Sequence, residues 1–196
     1  MERRELLKQI AILTGGIVIG SEFFLSGCKS GAKLEAGFSP ASIAVLDEVA
    51  ETIIPATKTP GAKAAQVGEF MKTFVTDCYT AEEQAVFTKG IVQLDEACEK
   101  MHNKSFMDCT PQQRKDLLIS LEKDAKAFNE KVKKDNEGKK DNKAPLHYYT
   151  MIKQLTLMGF FTSKTGATET LRHIQVPGKY DGAFPYKKGD KAWAEN

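Results

Sequence analysis

Between Pro40 and Phe161, apolar residues recur every three to four positions, the period of an amphipathic helix, in five runs separated by proline, glycine and capping residues. Ile43, Leu46, Val49, Ala50, Ile53 and Ile54 make the first run. It opens on Ser39-Pro40, an N-cap followed by the residue best tolerated at the first helical position, and stops before Pro55. After the loop "PATKTPGAKAA", Val67, Phe70, Met71, Phe74, Val75 and Cys78 share one helical face. Thr80 with Glu83 forms a capping box ahead of Phe87, Ile91, Leu94, Cys98 and Met101. Thr110-Pro111 with Gln113 does the same ahead of Leu117, Leu118, Leu121, Ala125 and Phe128.

The stretch from Glu122 to Lys143 carries eight lysines and six acids, so its second half is expected to be a solvated helix end running into a loop. Pro145 then opens "LHYYTMIKQLTLMGFF", apolar nearly all round, which predicts a helix buried within its own domain or against a partner. The remainder is rich in glycine and proline and is expected to be irregular, apart from a short helix near Thr168 to Arg172. It contains Tyr180, Phe184, Tyr186 and Trp193, aromatics that either fold back on the helices or cover a neighbour. The prediction is an all-α fold: a compact bundle of about five to six helices over residues 39–196 with an irregular, aromatic-rich C-terminal tail.

The N-terminus follows another pattern. In "RRELLKQIAILTGGIVIGSEFFLSGC" the run without an ionised side chain, Gln9 to Ser21, is 13 residues long, whereas a helical membrane span takes about 20. A basic start, an apolar middle and a short end of small residues make a secretory signal, with a buried amphipathic helix as the weaker reading. Arg3-Arg4 followed by Leu6-Leu7-Lys8 resembles a twin-arginine export signal, although Glu2 stands where Ser or Thr is usual. Leu25-Ser26-Gly27-Cys28 resembles a lipobox, whose cysteine is acylated after cleavage just before it. Residues 1–27 are thus read as a signal peptide, Cys28 as a lipid anchor and 28–38 as a tether.

Losing residues 1–27 removes three basic and three acidic side chains, so the 28 and 26 of the whole chain become 25 and 23. Such balance gives no electrostatic reason to expect nucleic acid as a partner. Cys78, Cys98 and Cys109 remain beside an acylated Cys28, an odd number. Cys78 and Cys98 are open to pairing if their helices lie side by side; the sequence leaves open whether any of the three forms a disulfide.

No catalytic constellation emerges. His102, His147 and His173 have no His, Cys or carboxylate at ligand spacing and read as surface or cap residues. No GxSxG elbow and no GxGxxG after a strand is present. Ser163 and Thr165 are expected to bond the local backbone. Asp47 with Glu48, and Asp95 with Glu96, read as solvated helix faces.

The blocks "ETIIPATKTPGAKAAQVGEFM" (51–71), "DCYTAEEQAVF" (77–87) and "LTLMGFFTSKTGATETLRHIQVPGKYDG" (155–182), behind a twin-arginine-like leader, resemble the gluconate 2-dehydrogenase subunit 3 family. The resemblance spans roughly Pro40 to Trp193. The charged stretch around Lys131 to Lys143 looks like an insertion, and the lipobox departs from members with a plain cleavage site.

That resemblance implies a small accessory subunit, not an enzyme, with no catalytic, cofactor or metal residue in this chain. The implied partner is a large flavoprotein of the glucose-methanol-choline type that holds FAD and oxidises a sugar or sugar acid. A cytochrome c subunit with haem c is a further member of such complexes. The implied place is the periplasmic side of a bacterial membrane, inner or outer, with Cys28 as anchor and Arg3 and Arg4 directing export of the folded pair. For the docking surface, Phe160, Phe161, Tyr180, Phe184 and Tyr186 combine apolar area with position near or in the tail, with core closure as the competing role. Gly159, Gly166 and Gly178 read as backbone requirements. The alternative function is a stand-alone lipoprotein that binds a small ligand or envelope component.

Overall fold

Five α-helices carry the architecture in the computed structural model, which describes residues 34–138, 144–176, 178 and 181–194. They are α1 (Pro40–Ile53), α2 (Val67–Cys78), α3 (Ala81–His102), α4 (Pro111–Asp135) and α5 (Tyr148–Thr162). Short 3-10 turns, Ala62–Ala65 and Phe106–Asp108, sit in two of the connections, and a π-helical turn, Gly166–Thr170, follows α5. The fold is the all-α bundle that the periodicity predicts. Arg3, Arg4, Cys28 and Tyr180 lie outside the described residues.

The helix starts are those written in the sequence. Ser39 Oγ accepts the Ser42 N–H at 3.1 Å with Pro40 in the first turn. Both capping boxes close: Thr80 Oγ1 accepts from Glu83 N while Glu83 accepts from Thr80 N, and Thr110 and Gln113 do likewise. Such reciprocal caps satisfy two otherwise unpaired N–H groups per helix.

α5 is the central element, packing against each of α1, α2, α3 and α4. Met151, Ile152, Leu155 and Phe160 meet a core built from Leu46 and Val49 of α1, Met71 and Val75 of α2, Phe87 and Ile91 of α3, and Leu117 of α4. Each such side chain, fully buried, stabilises the fold by roughly 1.5–3 kcal/mol. Gly90 on α3 lets Tyr148 lie directly on the backbone, because a Cβ there would overlap the tyrosine side chain.

Three of the predicted stripes stop short of their last member. Cys78, Met101 and Phe128 are exposed, the first two at or near their helix ends, whereas Val132, one turn beyond Phe128 on α4, is buried. The charged segment of α4 also does structural work. Asn129 Oδ1 accepts the His147 N–H at 2.9 Å and Asn129 Nδ2 donates to Thr150 Oγ1 at 2.7 Å, fixing the entry to α5. Asn136 pairs through its side-chain amide with both backbone groups of Ala144.

Candidate functional site

The first motif block, 51–71, folds into a latch on α1. Glu51 accepts the backbone N–H groups of Ala56 and Lys63 at 2.8 and 2.9 Å, which draws the loop around its carboxylate. Asp47 accepts the Gly68 N–H at 2.7 Å. Glu48 pairs with Lys63 at 3.0 Å and with Arg114 of α4. Arg114 in turn donates to the carbonyls of Phe106 and Met107. Asp95 of α3 accepts the Phe106 N–H at 2.7 Å. Asp47, Glu48 and Asp95 are therefore bonded latches, not the solvated faces that adjacency in sequence suggests.

Their electrostatics follow from this geometry. Burial lifts the Asp47 carboxyl above its ordinary pKa although the Gly68 N–H opposes it. Burial would also raise Glu48, but the hydrogen bond from Lys63 and the charge of Arg114 bring it below its ordinary value.

The third block, from Leu155 onward, shapes the end of α5. Ser163 Oγ donates to the Phe160 carbonyl at 2.6 Å and accepts the Gly166 N–H at 2.9 Å, so its hydroxyl serves the local backbone as expected. Gly166 approaches the Phe160 carbonyl more closely than any Cβ would allow. The turn this produces, Gly166–Thr170, begins earlier than the short helix predicted near Thr168 to Arg172. Beyond it the tail returns. Arg172 N donates to Ala192 O at 2.7 Å, Ala194 N to Arg172 O at 2.9 Å, and the guanidinium lies 4.8 Å from the Trp193 ring and 5.4 Å from the Phe184 ring.

The aromatic candidates separate here. Phe160 is 1% exposed and belongs to the core, whereas its neighbour Phe161 is 40% exposed. Phe184 and Tyr186 are exposed as well. Eight of the thirteen exposed large apolar side chains among the described residues lie from Leu157 onward. That concentration, on the outer face of α5 and in the tail, is the feature of this surface best suited to holding another protein.

Small-molecule chemistry has less to work with. A depression of about 450 Å³, lined by Thr168, Leu171, Arg172, His173, Asp190 and Lys191, opens broadly to solvent. Among the described residues, no group of three or more His, Cys, Asp or Glu side chains is placed to hold a metal ion. His102 meets the Gln113 carbonyl. His147 caps α5, its Nδ1 accepting the Tyr149 N–H at 3.2 Å, and burial holds its pKa below the usual imidazole value. Burial pushes the hydroxyls of Tyr148 and Tyr149 up to about 12, so both are neutral packing groups. Cys78 is exposed at the end of α2, whereas Cys98 is buried, and the thiol beside Cys98 is that of Cys109, at 3.1 Å.

The domain is a helical bundle held by backbone latches, with exposed apolar side chains on the outer face of α5 and in a tail that folds back on Arg172. The family model for gluconate 2-dehydrogenase subunit 3 matches residues 40–178, and the chain belongs to that family of accessory subunits of a multi-subunit dehydrogenase complex. Comparisons with curated proteins and with solved structures give no match.

Proposed function

We propose that this chain is the non-catalytic small subunit of a periplasm-facing, FAD-dependent sugar or sugar-acid dehydrogenase, and that it assists export, assembly and membrane anchoring of the flavoprotein. Family membership over residues 40–178 carries the reading. The exposed apolar side chains from Leu157 onward support it, because an accessory subunit needs a surface to offer. In this reading FAD resides in a glucose-methanol-choline type partner, haem c in a cytochrome subunit where one is present, and no cofactor in this chain. Arg3 and Arg4 direct the folded, FAD-loaded pair through the twin-arginine route. Acyl chains on Cys28 hold it at the membrane, more than one being needed for stable anchoring.

The test is an affinity pull-down of the tagged chain from its native membranes, with a flavin absorbance spectrum and mass spectrometry of what accompanies it. A near-stoichiometric yellow flavoprotein is the expected result. A colourless, solitary chain would overturn the reading in favour of a stand-alone lipoprotein. Cys28→Ala should release the chain from membranes, and Arg3→Lys with Arg4→Lys should stop export of both subunits.

A further inference from the structure

Cys98 lies in the penultimate turn of α3, and Cys109 immediately precedes Thr110, the cap of α4. Their Sγ atoms are 3.1 Å apart, and both side chains are buried. The connection between them is held from both sides independently of the sulfurs. Asp95 takes the Phe106 N–H, Arg114 takes the Phe106 and Met107 carbonyls, Ser105 Oγ donates to Asp108 at 2.9 Å, and His102 Nε2 meets the Gln113 carbonyl. The fold thus presents two thiols to each other whether or not a bond joins them. Converting the contact into a disulfide of ~2.05 Å shortens it by only about 1 Å.

We propose that Cys98 and Cys109 form an intramolecular disulfide that staples the end of α3 to the start of α4 when the chain folds in contact with an oxidising thiol–disulfide couple. The oxidant is a low-molecular-weight or protein disulfide. The Cys109 thiolate attacks it, giving a mixed disulfide and releasing one thiol. The Cys98 thiolate then attacks Cys109 Sγ and expels the second thiol. Two electrons pass to the oxidant, which is reduced to two thiols, and the two cysteines lose their protons.

The folded state itself resists this exchange in both directions. Burial, the contact with Cys109 and the nearby Asp95 push the Cys98 thiol up to about 12, which leaves little thiolate to react. With Cys98 fully covered, an external disulfide has no approach either. Oxidation therefore belongs to the chain before the core closes or to a local opening of the α3–α4 connection. Once formed, the bond is shielded from reductant in the same way. The pair keeps a record of the redox conditions in which the chain folded. This inference concerns the chain alone and stands apart from any flavoprotein partner.

The experiment is refolding of the reduced, denatured full chain in a glutathione redox buffer, alongside refolding in reductant. Free thiols are then alkylated under denaturing conditions, and non-reducing peptide mapping is performed. The expected product has lost the mass of two hydrogens, with Cys98 linked to Cys109 and both Cys28 and Cys78 alkylated. The same link should appear in Cys78→Ser, and its melting temperature should fall by several degrees when the bond is reduced. Linkage through Cys78 in place of Cys109, or complete alkylation of Cys98 and Cys109 after oxidative refolding, would overturn the proposal.

Discussion

Asp47 on α1 accepts a hydrogen bond, 2.7 Å long, from the backbone N–H of Gly68 in the first turn of α2. Gln66, which precedes that helix at φ 52, supplies no side-chain acceptor, so the cap comes from a neighbouring helix. A Cβ at residue 68 would lie 2.8 Å from the Ile43 carbonyl oxygen, and glycine is what admits the approach. Asp47→Ala should cost about 1–2 kcal/mol in urea unfolding, and Asp47→Asn, which keeps an acceptor, less. Because the folded state holds this proton to higher pH than the unfolded chain does, Asp47 contributes less to stability as pH rises through its raised pKa. The stability difference between the native chain and Asp47→Asn should therefore decline across that interval.

Glu48 behaves in the opposite sense. Its lowered pKa means that its contribution is present above the ordinary carboxylate value and is lost as pH falls through the lowered one. Arg114 and Glu48 are 13% and 17% exposed, so Glu48→Gln leaves a largely covered guanidinium without its counter-charge. Destabilisation of about 2 kcal/mol or more is expected at neutral pH, shrinking in acid, as followed by urea midpoints over a pH series.

His147 should confer a pH dependence nearer neutrality. Its Nδ1 accepts the Tyr149 N–H, an interaction that protonation destroys, and burial lowers its pKa from 6.5 although Asp124 partly opposes this. The unfolded chain thus takes up a proton first. Stability should fall as pH drops below 6.5 toward the folded-state value, and His147→Asn should remove that part of the slope while retaining a capping side chain.

Gly90→Ala reverses a general rule. In a helix interior this change ordinarily stabilises by up to about 1 kcal/mol. Here the added methyl overlaps Tyr148 on the central helix, and overpacking of that kind costs about 1–3 kcal/mol or more. A lower melting temperature is expected.

Adjacent phenylalanines should give different phenotypes. Phe160→Ala empties a core position and should cost about 3–5 kcal/mol. Phe161→Ala, together with Tyr186→Ala at a position 77% exposed, should leave the melting temperature nearly unchanged and reduce recovery of the flavoprotein in the pull-down. Unchanged recovery from the stable double variant would place the docking surface elsewhere.

The helices and their caps were legible because they rest on local rules. Ser39, Thr80 and Thr110 each act within three residues, and the apolar period identifies the buried face directly. What the period does not encode is where the neighbours lie along a helix: Cys78 and Met101 face water at or near their helix ends, whereas Phe128 is exposed although Val132, one turn further on, is buried. Asp47 and Glu48 were opaque for a related reason. Their partners Gly68 and Arg114 lie 21 and 66 residues away. Asn129 and Asn136 were hidden in a stretch whose charges drew attention to solvation. In the candidate surface, sequence found the aromatics but did not separate Phe160 from Phe161, since neighbours on a helix point about 100° apart and only packing decides which is covered.

Arg114 joins α1, α4 and the Phe106–Asp108 turn through one guanidinium. The turn consequently cannot swing outward while the first turn of α4 stays docked on α1. For native-state hydrogen exchange, the Phe106 amide should behave as part of the core, exchanging with the cooperative opening of α1 and α4, although it lies in a connection between helices. An exchange map would then draw the boundary of the most persistent unit through a loop and leave the far end of α4 outside it.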